Sequence, residues 1–335
     1  MRTQALWIAL VTAAGTMAAS AETINAAGAT FPAPIYQKWF ENFHKAHPDI
    51  QINYQAIGSG GGIRQLTEGT VDFGASDMPM TDDQMSKVTK FKVLHFPTVL
   101  GGIVPTYNVQ GATSLNFSGA TLAGIYLGNI KKWNDPALKK DNPSVNLPNE
   151  DITVVHRSDG SGTSFVFTDY LTKVSPEWKK VGANTSVNWP VGLGGKGNEG
   201  VAGLVKQTPF SIGYVELLYA VQNKMEYGSL KNAAGNFIKA DFNTVSEAAA
   251  GAANDMPADF RVSITNAPGK NAYPISTFTW LLIPDKIGDA TKKKSITDFL
   301  QWMLTTAQAD AQGLSYAPLP KSIVAKEQKQ LALIK

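Results

Sequence analysis

The sequence has 335 residues, of which 43% are hydrophobic and 17% are charged, and it contains no cysteine. This length corresponds to about two domains of ordinary size. The absence of cysteine excludes disulfides, thiol catalysis, cysteine-ligated metal centres and a lipid-modified N-terminal cysteine. The formal net charge of +3 is too balanced to indicate binding to nucleic acid or to an acidic membrane surface.

The first 21 residues have the three-part pattern of an export signal. Arg2 precedes an apolar run of about ten residues, and the segment ends in Ala19-Ser20-Ala21, an A-x-A cleavage pattern. The run is too short to span a bilayer, which needs about 20 apolar residues. We expect cleavage after Ala21, which removes Arg2 and leaves a net charge of +2. Without a cysteine for a lipid anchor, the mature protein would need an enclosed periplasm to be retained.

The segment that follows alternates helix and strand patterns. Helical spacing of apolar residues predicts a helix from Pro32 to His47, with Thr30 as its N-cap. The aromatic residues on this helix are interpreted as core: Trp39, Phe40 and Phe43. Strands are predicted over 50–54 and 71–77, and the glycine cluster 58–62 leads into a short helix between them. This is the α/β pattern, in which ligands bind at the carboxyl ends of strands.

A second α/β series follows a long apolar segment. Residues 93–105 read as a strand that passes from one lobe to another. Further on, the pattern predicts a strand over 152–156, a turn at 160–162, a helix over 163–173 and a strand over 275–283. Residues Ile296, Phe299, Leu300 and Met303 then mark an amphipathic helix, with Ser295 as its cap. The simplest arrangement is two α/β lobes between which the chain crosses more than once.

Three segments each bring a small hydroxyl residue to the start of a helix. They are Gly28-Ala29-Thr30-Phe31, Gly58-Ser59-Gly60-Gly61-Gly62 and Arg157-Ser158-Asp159-Gly160-Ser161-Gly162-Thr163-Ser164. A helix N-terminus has unpaired N–H groups and partial positive charge, so each segment is half of an anion site. The alternative is that each hydroxyl only caps its own helix. The three segments would form one oxyanion site if the fold brings them together.

Three charged residues near these segments suit an oxyanion site. Arg157 offers a rigid fork of donors, and Asp159 could hold that fork in place; the alternative is a structural salt bridge. Asp77 follows a predicted strand, and the alternative for it is a solvated or capping carboxylate. A carboxylate repels a fully ionised anion but accepts a hydrogen bond from an anion that keeps a proton. Phosphate keeps such a proton at neutral pH, and sulfate does not.

Sequence patterns of several enzyme classes are absent. No G-x-S-x-G surrounds Ser59 or Ser161, no H-E-x-x-H occurs, and the four histidines have no metal-ligand spacing. Gly192–Gly197 fits G-x-G-x-x-G formally, but Asn188-Trp189-Pro190 precedes it instead of a hydrophobic strand. We interpret it as a Gly-rich turn before a helix that starts near Asn198. We therefore expect no enzyme activity, no metal and no cofactor.

Taken together, the motifs resemble those of the periplasmic phosphate-binding proteins of phosphate-specific ABC importers. The resemblance covers nearly all of the mature chain and is clearest over 27–77 and 154–167. It rests on the three segments above, with Pro32-Ala33-Pro34 after the first, and on four further stretches: 71–77, Tyr126-Leu127-Gly128 with Lys131-Lys132-Trp133, 189–198 and 212–216. One departure is Gly60, where close relatives often have a second serine.

The resemblance implies a role for each site residue. Thr30 and Phe31 would offer backbone N–H groups, and the Thr30 hydroxyl would be a further partner. Ser59 would give its hydroxyl and amide, and Asp77 would accept the phosphate proton. The remaining donors would come from the third segment: Arg157, oriented by Asp159, together with Ser161, Gly162 and Thr163.

The resemblance also implies the architecture, a type II periplasmic binding protein of two α/β lobes with the ligand in the cleft between them. Lobe I would comprise residues 22–100 and 273–335, and lobe II residues 101–272. Such a monomer would bind inorganic phosphate and deliver it to a membrane permease with its cytoplasmic ATPase. The alternatives are a binding protein for sulfate, molybdate or a phosphonate, a secreted serine phosphatase or esterase, and a surface adhesion protein that has kept the fold.

Overall fold

The computed structural model describes residues 21–335, so the predicted export signal lies outside the described residues except for Ala21. Residues 21–335 form twelve strands and eleven α-helices. The strands are β1 (Glu22–Gly28), β2 (Ile50–Ala56), β3 (Phe73–Ser76), β4 (Val93–Asn108), β5 (Asn116–Phe117), β6 (Thr153–Arg157), β7 (Leu193–Gly195), β8 (Ser211–Glu216), β9 (Glu226–Tyr227), β10 (Ser229–Lys231), β11 (Phe237–Ile238) and β12 (Ser276–Pro284). The helices are α1 (Ala33–Ala46), α2 (Ser59–Glu68), α3 (Asp82–Ser86), α4 (Gly119–Tyr126), α5 (Pro136–Asp141), α6 (Gly162–Val174), α7 (Gly197–Gln207), α8 (Leu217–Gln222), α9 (Phe242–Asn254), α10 (Ala290–Thr305) and α11 (Lys321–Gln330).

One long strand joins the two halves of the main sheet. The strand order is β2-β1-β3-β12-β4-β8-β6-β7, with β9 also paired to β4, while β11, β10 and β5 form a small separate sheet. Residues 93–102 of β4 pair with β12, and residues 103–108 pair with β8. We call β2, β1, β3 and β12 the first half of the sheet, and β8, β6 and β7 the second half.

The strand directions bring two sets of carboxyl ends face to face. In the first half, β1, β2 and β3 are parallel, and β12 is antiparallel to both β3 and β4. In the second half, β6 is parallel to β7 and β8, and β8 is antiparallel to β4. Strands β1 to β3 therefore run toward the second half, and β6 to β8 run toward the first. The loops that follow these six strands meet beside the middle of β4.

The predicted elements agree with the structure over most of the chain. The predicted helices over 32–47 and 163–173 are confirmed as α1 and α6. The strands predicted over 50–54, 71–77, 93–105, 152–156 and 275–283 are confirmed as β2, β3, β4, β6 and β12, with bounds that differ by at most three residues. Strand β1 has no counterpart among the predicted strands. The short helix predicted after the glycine cluster 58–62 is confirmed as α2, which begins within the cluster, at Ser59.

Two predicted helix caps are wrong. The N-cap of α1 is Pro32, which makes no side-chain cap bond, and the Thr30 hydroxyl is used elsewhere. The last long helix begins earlier than expected, at Ala290, and Asp289 caps it by accepting from the N–H groups of Thr291 and Lys292. Ser295 therefore lies inside α10, where it is buried.

The aromatic stripe of α1 belongs to the core, as predicted. Trp39 and Phe43 are fully buried, and the Phe40 and Phe43 rings lie 5.2 and 5.3 Å from the ring of Phe299 on α10. Large apolar side chains buried in this way each contribute roughly 1.5–3 kcal/mol. Helices α1 and α10 are thus held against the first half of the sheet. Within residues 21–335, no helix is both long and apolar enough to cross a membrane.

Gly62 tests how tightly α2 packs against the first half of the sheet. A Cβ at Gly62 would lie 2.6 Å from the Ala27 carbonyl oxygen and 2.9 Å from that of Ala75, and backbone cannot move aside cheaply. We expect Gly62→Ala to lower the free energy of unfolding by about 1–3 kcal/mol, measured by urea denaturation. Gly203→Ala is the control, because a Cβ there meets nothing within 4 Å.

The control should leave stability unchanged or raise it by up to about 1 kcal/mol, since alanine favours a helix interior over glycine. Equal urea midpoints for the two variants would contradict the tight packing of α2.

Candidate functional site

The three predicted half-sites lie together beside the middle of β4. The amide of Gly60, in the first turn of α2, donates to the carbonyl of Gly160 across the two halves at 2.9 Å. Gly162, at the start of α6, lies so close to the first half that a Cβ there would be 2.3 Å from the Ser59 hydroxyl and 2.8 Å from Asp77 Cβ. Only glycine permits this approach of α6 to α2. The convergence that sequence patterns could not establish is therefore present.

The loop after β1 presents two free backbone donors. Thr30 and Phe31 are buried, and neither of their amide N–H groups donates a hydrogen bond to any residue in the described range 21–335. Buried N–H groups without partners are rare in folded proteins. The Thr30 hydroxyl accepts from the Asn198 side-chain amide at 2.9 Å, which links the loop to the second half.

Ser59, the first residue of α2, is completely buried. Its hydroxyl accepts a hydrogen bond from the backbone N–H of Asp77 at 3.1 Å. The hydroxyl proton itself is left to be donated, because a serine hydroxyl can accept and donate at once. Ser59 thus joins the ends of β2 and β3 and still has one donor for a ligand.

The Asp77 carboxyl is 1% exposed and receives only neutral donors. Thr279 donates to its Oδ1 at 2.9 Å, and the Thr163 hydroxyl lies 3.5 Å from its Oδ2. Burial raises the pKa of Asp77 to about 7, although the bond from Thr279 and the charge of Arg157 oppose this rise. Near neutral pH the carboxyl can therefore either accept a proton or share one.

Arg157, which is buried, and Asp159, which is partly buried, form a two-pronged ion pair at the end of β6. Arg157 Nε and Nη2 donate to the two Asp159 carboxylate oxygens at 2.7 and 2.6 Å. Burial raises the pKa of Asp159, but the bond and charge of Arg157 outweigh this and hold the pKa below its usual value. Gly197 N–H also donates to Asp159, at 3.1 Å. The Arg157 side chain is 1% exposed, and among the described residues its Nη1 has no hydrogen-bond partner.

The third segment supplies the start of α6. Ser161 is the N-cap, and its hydroxyl accepts from Ser164 N–H at 3.0 Å. The Ser161 N–H donates to the Thr185 carbonyl at 2.8 Å, so its hydroxyl proton is the donor left for a ligand. Gly162 and Thr163 are the first two helical residues, where backbone N–H groups have no helical acceptor. Both the capping interpretation and the anion-site interpretation therefore apply to Ser161.

Two residues at the junction were not among the predicted site residues. Asn198 is fully buried; its side-chain NH₂ donates to the hydroxyls of Thr30 and Thr163, and its carbonyl oxygen accepts from Glu216 N–H at 3.0 Å. The sequence feature that could have indicated Asn198 is the Gly-rich stretch 192–197 directly before it. This stretch is partly strand β7 rather than a turn alone. It places Asn198 at the start of α7, between the loops.

Glu216 ends β8 directly beside this junction. It is fully buried, its Oε2 accepts from Leu218 N–H at 2.9 Å, and its Oε1 has no partner among the described residues. Burial raises the pKa of Glu216 well above its usual value, and the charge of Asp77 adds to the rise. The Glu216 carboxyl therefore keeps its proton to higher pH than an exposed glutamate does.

As a whole, the arrangement can bind a small oxyanion that carries a proton. The donors are two loop amides, several hydroxyls, helix-start amides and Arg157 Nη1, and Asp77 is a buried acceptor among them. Residues 21–335 contain no group of three or more His, Cys, Asp or Glu side chains that could hold a metal ion.

Comparison with known proteins first gives the structural class of this protein. A model of the PBP superfamily domain matches residues 13–307. Three solved structures share the fold at low sequence identity. A high affinity periplasmic phosphate-binding protein (PfluDING) bound with phosphate has a TM-score of 0.76 and 21% identity, covering 92% of this chain and 93% of that one. A phosphate-binding protein from Stenotrophomonas maltophilia has a TM-score of 0.71 and 17% identity, with the same coverage of 92% and 93%. An ABC-type phosphate transport receptor from Vibrio cholerae has a TM-score of 0.57 and 19% identity, covering 89% and 100%.

Sequence comparison then gives the family. The chain is 47% identical over 304 residues to phosphate-binding protein PstS of Xylella fastidiosa strain Temecula1, covering 90% of this chain and 82% of that one. It is 43% identical over 333 residues to PstS of Pasteurella multocida, covering 98% and 96%. PstS of Methanocaldococcus jannaschii is 40% identical, covering 90% and 83%. The chain therefore belongs to the PstS family of phosphate-binding proteins, in agreement with the resemblance found in its motifs.

A glutamine at position 216 tests whether Glu216 is held neutral. The folded protein keeps a proton on Glu216 that the unfolded chain releases above about pH 4.3, so this residue costs stability that grows as pH rises toward the raised pKa. Glu216→Gln removes the cost and keeps an acceptor for Leu218. We expect the variant to be more stable than the wild-type protein at about pH 8, with a difference that shrinks toward about pH 4.5, in urea unfolding at both pH values.

A stability difference of the same size at both pH values would contradict the neutral state of Glu216, because it would not depend on the proton.

Proposed function

We propose that this chain binds inorganic phosphate in the closed cleft between its two halves and delivers it to the permease of an ABC importer. The observation that carries the proposal is the meeting of buried, unpaired donors with the buried acceptor Asp77. Arg157 Nη1 and the amides of Thr30 and Phe31 have no partner among residues 21–335, and Asp77 is 1% exposed. A protonated tetrahedral oxyanion satisfies both kinds of group at once.

Each site residue has a proposed role. The amides of Thr30 and Phe31 and the hydroxyl of Ser59 bind phosphate oxygens from the first half. From the second half, Arg157 binds through its free nitrogen, and Asp159 orients it. The start of α6 adds three further donors: the hydroxyl of Ser161, the amide of Gly162 and the amide and hydroxyl of Thr163. Asp77 accepts the hydrogen bond of the phosphate O–H group.

The two halves correspond to two lobes that close on the ligand. We propose lobe I as residues 22–100 and 273–335, and lobe II as residues 101–272; the strand pairing of β4 changes partner between Gly102 and Ile103. The bond from Gly60 N–H to the Gly160 carbonyl crosses between the lobes. Opening about the middle of β4 would break such contacts and release phosphate.

The names of the relatives support the transport role. They are called phosphate-binding protein PstS, and one structure of the same fold is described as an ABC-type phosphate transport receptor. We propose that the chain works as a monomer in the periplasm after removal of residues 1–21. Its partners would be the permease subunits with their cytoplasmic ATPase.

We further propose that the chain catalyses no reaction on its ligand. Ser59 and Ser161 are the residues that a serine phosphatase or esterase would use, and within residues 21–335 no histidine hydrogen-bonds to either hydroxyl. His156, which lies close in sequence to Arg157, stacks on Trp189 with ring centroids 5.0 Å apart. Equilibrium dialysis of the mature protein against labelled phosphate, with a parallel assay of turnover on a generic phosphate ester, tests binding against hydrolysis.

Asp77→Asn tests selectivity. A buried acceptor that requires a proton donor can reject an analogue without one by up to about 10⁴–10⁵-fold. The asparagine side chain can donate as well as accept, so we expect sulfate to compete with phosphate far better in the variant than in the wild type. Competition dialysis at about pH 8 measures this, and unchanged exclusion of sulfate would remove Asp77 from its role.

The same experiment has a pH arm. Because burial raises the pKa of Asp77 to about 7, acidification gives the wild-type carboxyl a proton to donate. Sulfate competition should grow in the wild type as pH falls through this value, while in Asp77→Asn the contribution of position 77 should not change with pH.

Arg157 substitutions test the cationic donor. A hydrogen bond to a charged group contributes about 1.5–3 kcal/mol, so Arg157→Lys, which keeps the charge but loses the fork, should weaken phosphate binding by about 10- to 150-fold. Arg64→Ala is the control, because Arg64 is exposed on α2. Titration of both folded variants with phosphate measures the affinities. Wild-type affinity in Arg157→Lys would exclude Arg157 from the site.

A further inference from the structure

Three consecutive carbonyls of the loop after β1 each accept a hydrogen bond from a different tyrosine hydroxyl. The pairs are Tyr54 with the Ala29 carbonyl at 2.6 Å, Tyr219 with the Thr30 carbonyl at 2.5 Å and Tyr316 with the Phe31 carbonyl at 2.7 Å. Neither the half-sites nor their glycines require these bonds. Of the four residues between β1 and α1, three accept a hydrogen bond from a tyrosine, which points to a function for these bonds.

The three tyrosines come from distant parts of the chain. Tyr54 lies on β2, beside the loop in the first half of the sheet. Tyr219 lies on α8, which follows β8 in the second half, and its hydroxyl is also 3.4 Å from a carboxylate oxygen of Glu199. Tyr316 lies in the segment before α11 and is fully buried. Burial raises the pKa of all three hydroxyls, so they remain protonated donors at any physiological pH.

The planar peptide unit converts a bond on one residue into an orientation on the next. The carbonyl of residue i and the N–H of residue i+1 belong to the same plane and point in opposite directions. Tyr54 therefore fixes the unit that carries Thr30 N–H, and Tyr219 fixes the unit that carries Phe31 N–H. These are the two loop amides that have no partner among the described residues. When the carbonyl of a peptide unit accepts a hydrogen bond, the N–H of the same unit, on the next residue, becomes a stronger donor.

We infer that Tyr54 and Tyr219 are positioning residues for the bound anion: their hydroxyls aim and polarise the two peptide units whose N–H groups bind it. The inference rests on the proposed phosphate function. Because Tyr219 reaches Thr30 from the opposite half, its bond forms only where the two halves are in contact. Closure of the cleft thus completes the Phe31 donor, and the Thr30 donor is prepared by Tyr54 within one half.

Tyr316 supplies a matched control from the same loop. Its hydroxyl binds the Phe31 carbonyl, but the next residue is Pro32, which has no N–H to orient. Removing the Tyr316 hydroxyl therefore deletes the same kind of bond, one residue along, without affecting a peptide N–H aimed at the ligand.

Three single variants, Tyr54→Phe, Tyr219→Phe and Tyr316→Phe, test the inference in phosphate titrations beside the wild type. Loss of one such hydrogen bond should weaken binding about three- to tenfold in Tyr54→Phe and Tyr219→Phe, and leave Tyr316→Phe within about twofold of the wild type. Stopped-flow measurements should place the Tyr219→Phe loss mainly in a faster dissociation rate, since its bond requires contact between the halves. Wild-type affinity in the first two variants, or an equal loss in all three, would overturn the inference.

Amide chemical shifts provide a readout that a general loss of stability would not reproduce. In the phosphate complex, Tyr54→Phe should move the Thr30 amide proton most, and Tyr219→Phe should move the Phe31 amide proton most. The same shift pattern in both variants would contradict the assignment of one tyrosine to each peptide unit. Failure of the wild type to bind phosphate would instead contradict the proposed function, so the two failures are distinguishable.

Discussion

The buried guanidinium of Arg157 determines which groups must surround it in the site. A cation taken out of water is stable only when it is paired and its N–H groups are bonded. Asp159 accepts from Nε and Nη2, and the Gly197 N–H donates to the same carboxylate. This leaves Nη1 as a charged donor whose desolvation cost is not offset by any described residue. A bound anion would supply the missing bond, and part of the cost of folding this centre would then be recovered only on binding.

The position of that centre follows from the course of β4. Strand β4 runs unbroken through both halves. Strands β1 to β3 are parallel to its first part, and β6 to β8 are antiparallel to its second part. Both sets of strands therefore end beside its middle. Loops after β1, β2 and β3 and loops after β6, β7 and β8 are therefore forced into one region. The glycines at 60, 160 and 162 then let the backbones approach within hydrogen-bond distance. The position of the site is a consequence of topology, and the side chains determine its chemistry.

Much of this was predictable from local patterns, and the remainder depended on long-range contacts. Periodicity identifies α1, α6 and most central strands because each buries one regular face. Strand β1 was not predicted, since Ile24 is the one large apolar residue between Glu22 and Gly28. The half-sites were visible as hydroxyl residues at glycine-rich helix starts. The Thr30 cap was wrong because Asn198, 168 residues away, binds that hydroxyl. Likewise, nothing local marks Tyr219 as a partner of Thr30.

The low net charge of the chain determines how the site can attract and hold an anion. With Asp159 paired to Arg157 and the pKa of Glu216 raised by burial, little net charge faces the site, in line with a formal net charge of only +3 for the whole chain. Attraction over long distances is then weak, and binding must come from bonds made at contact. Such bonds depend on angle as well as distance. A site of this kind therefore needs its backbone donors fixed in direction once the cleft is closed, which is a demand that a highly charged site would not make. The hydroxyls that hold the loop after β1 meet that demand.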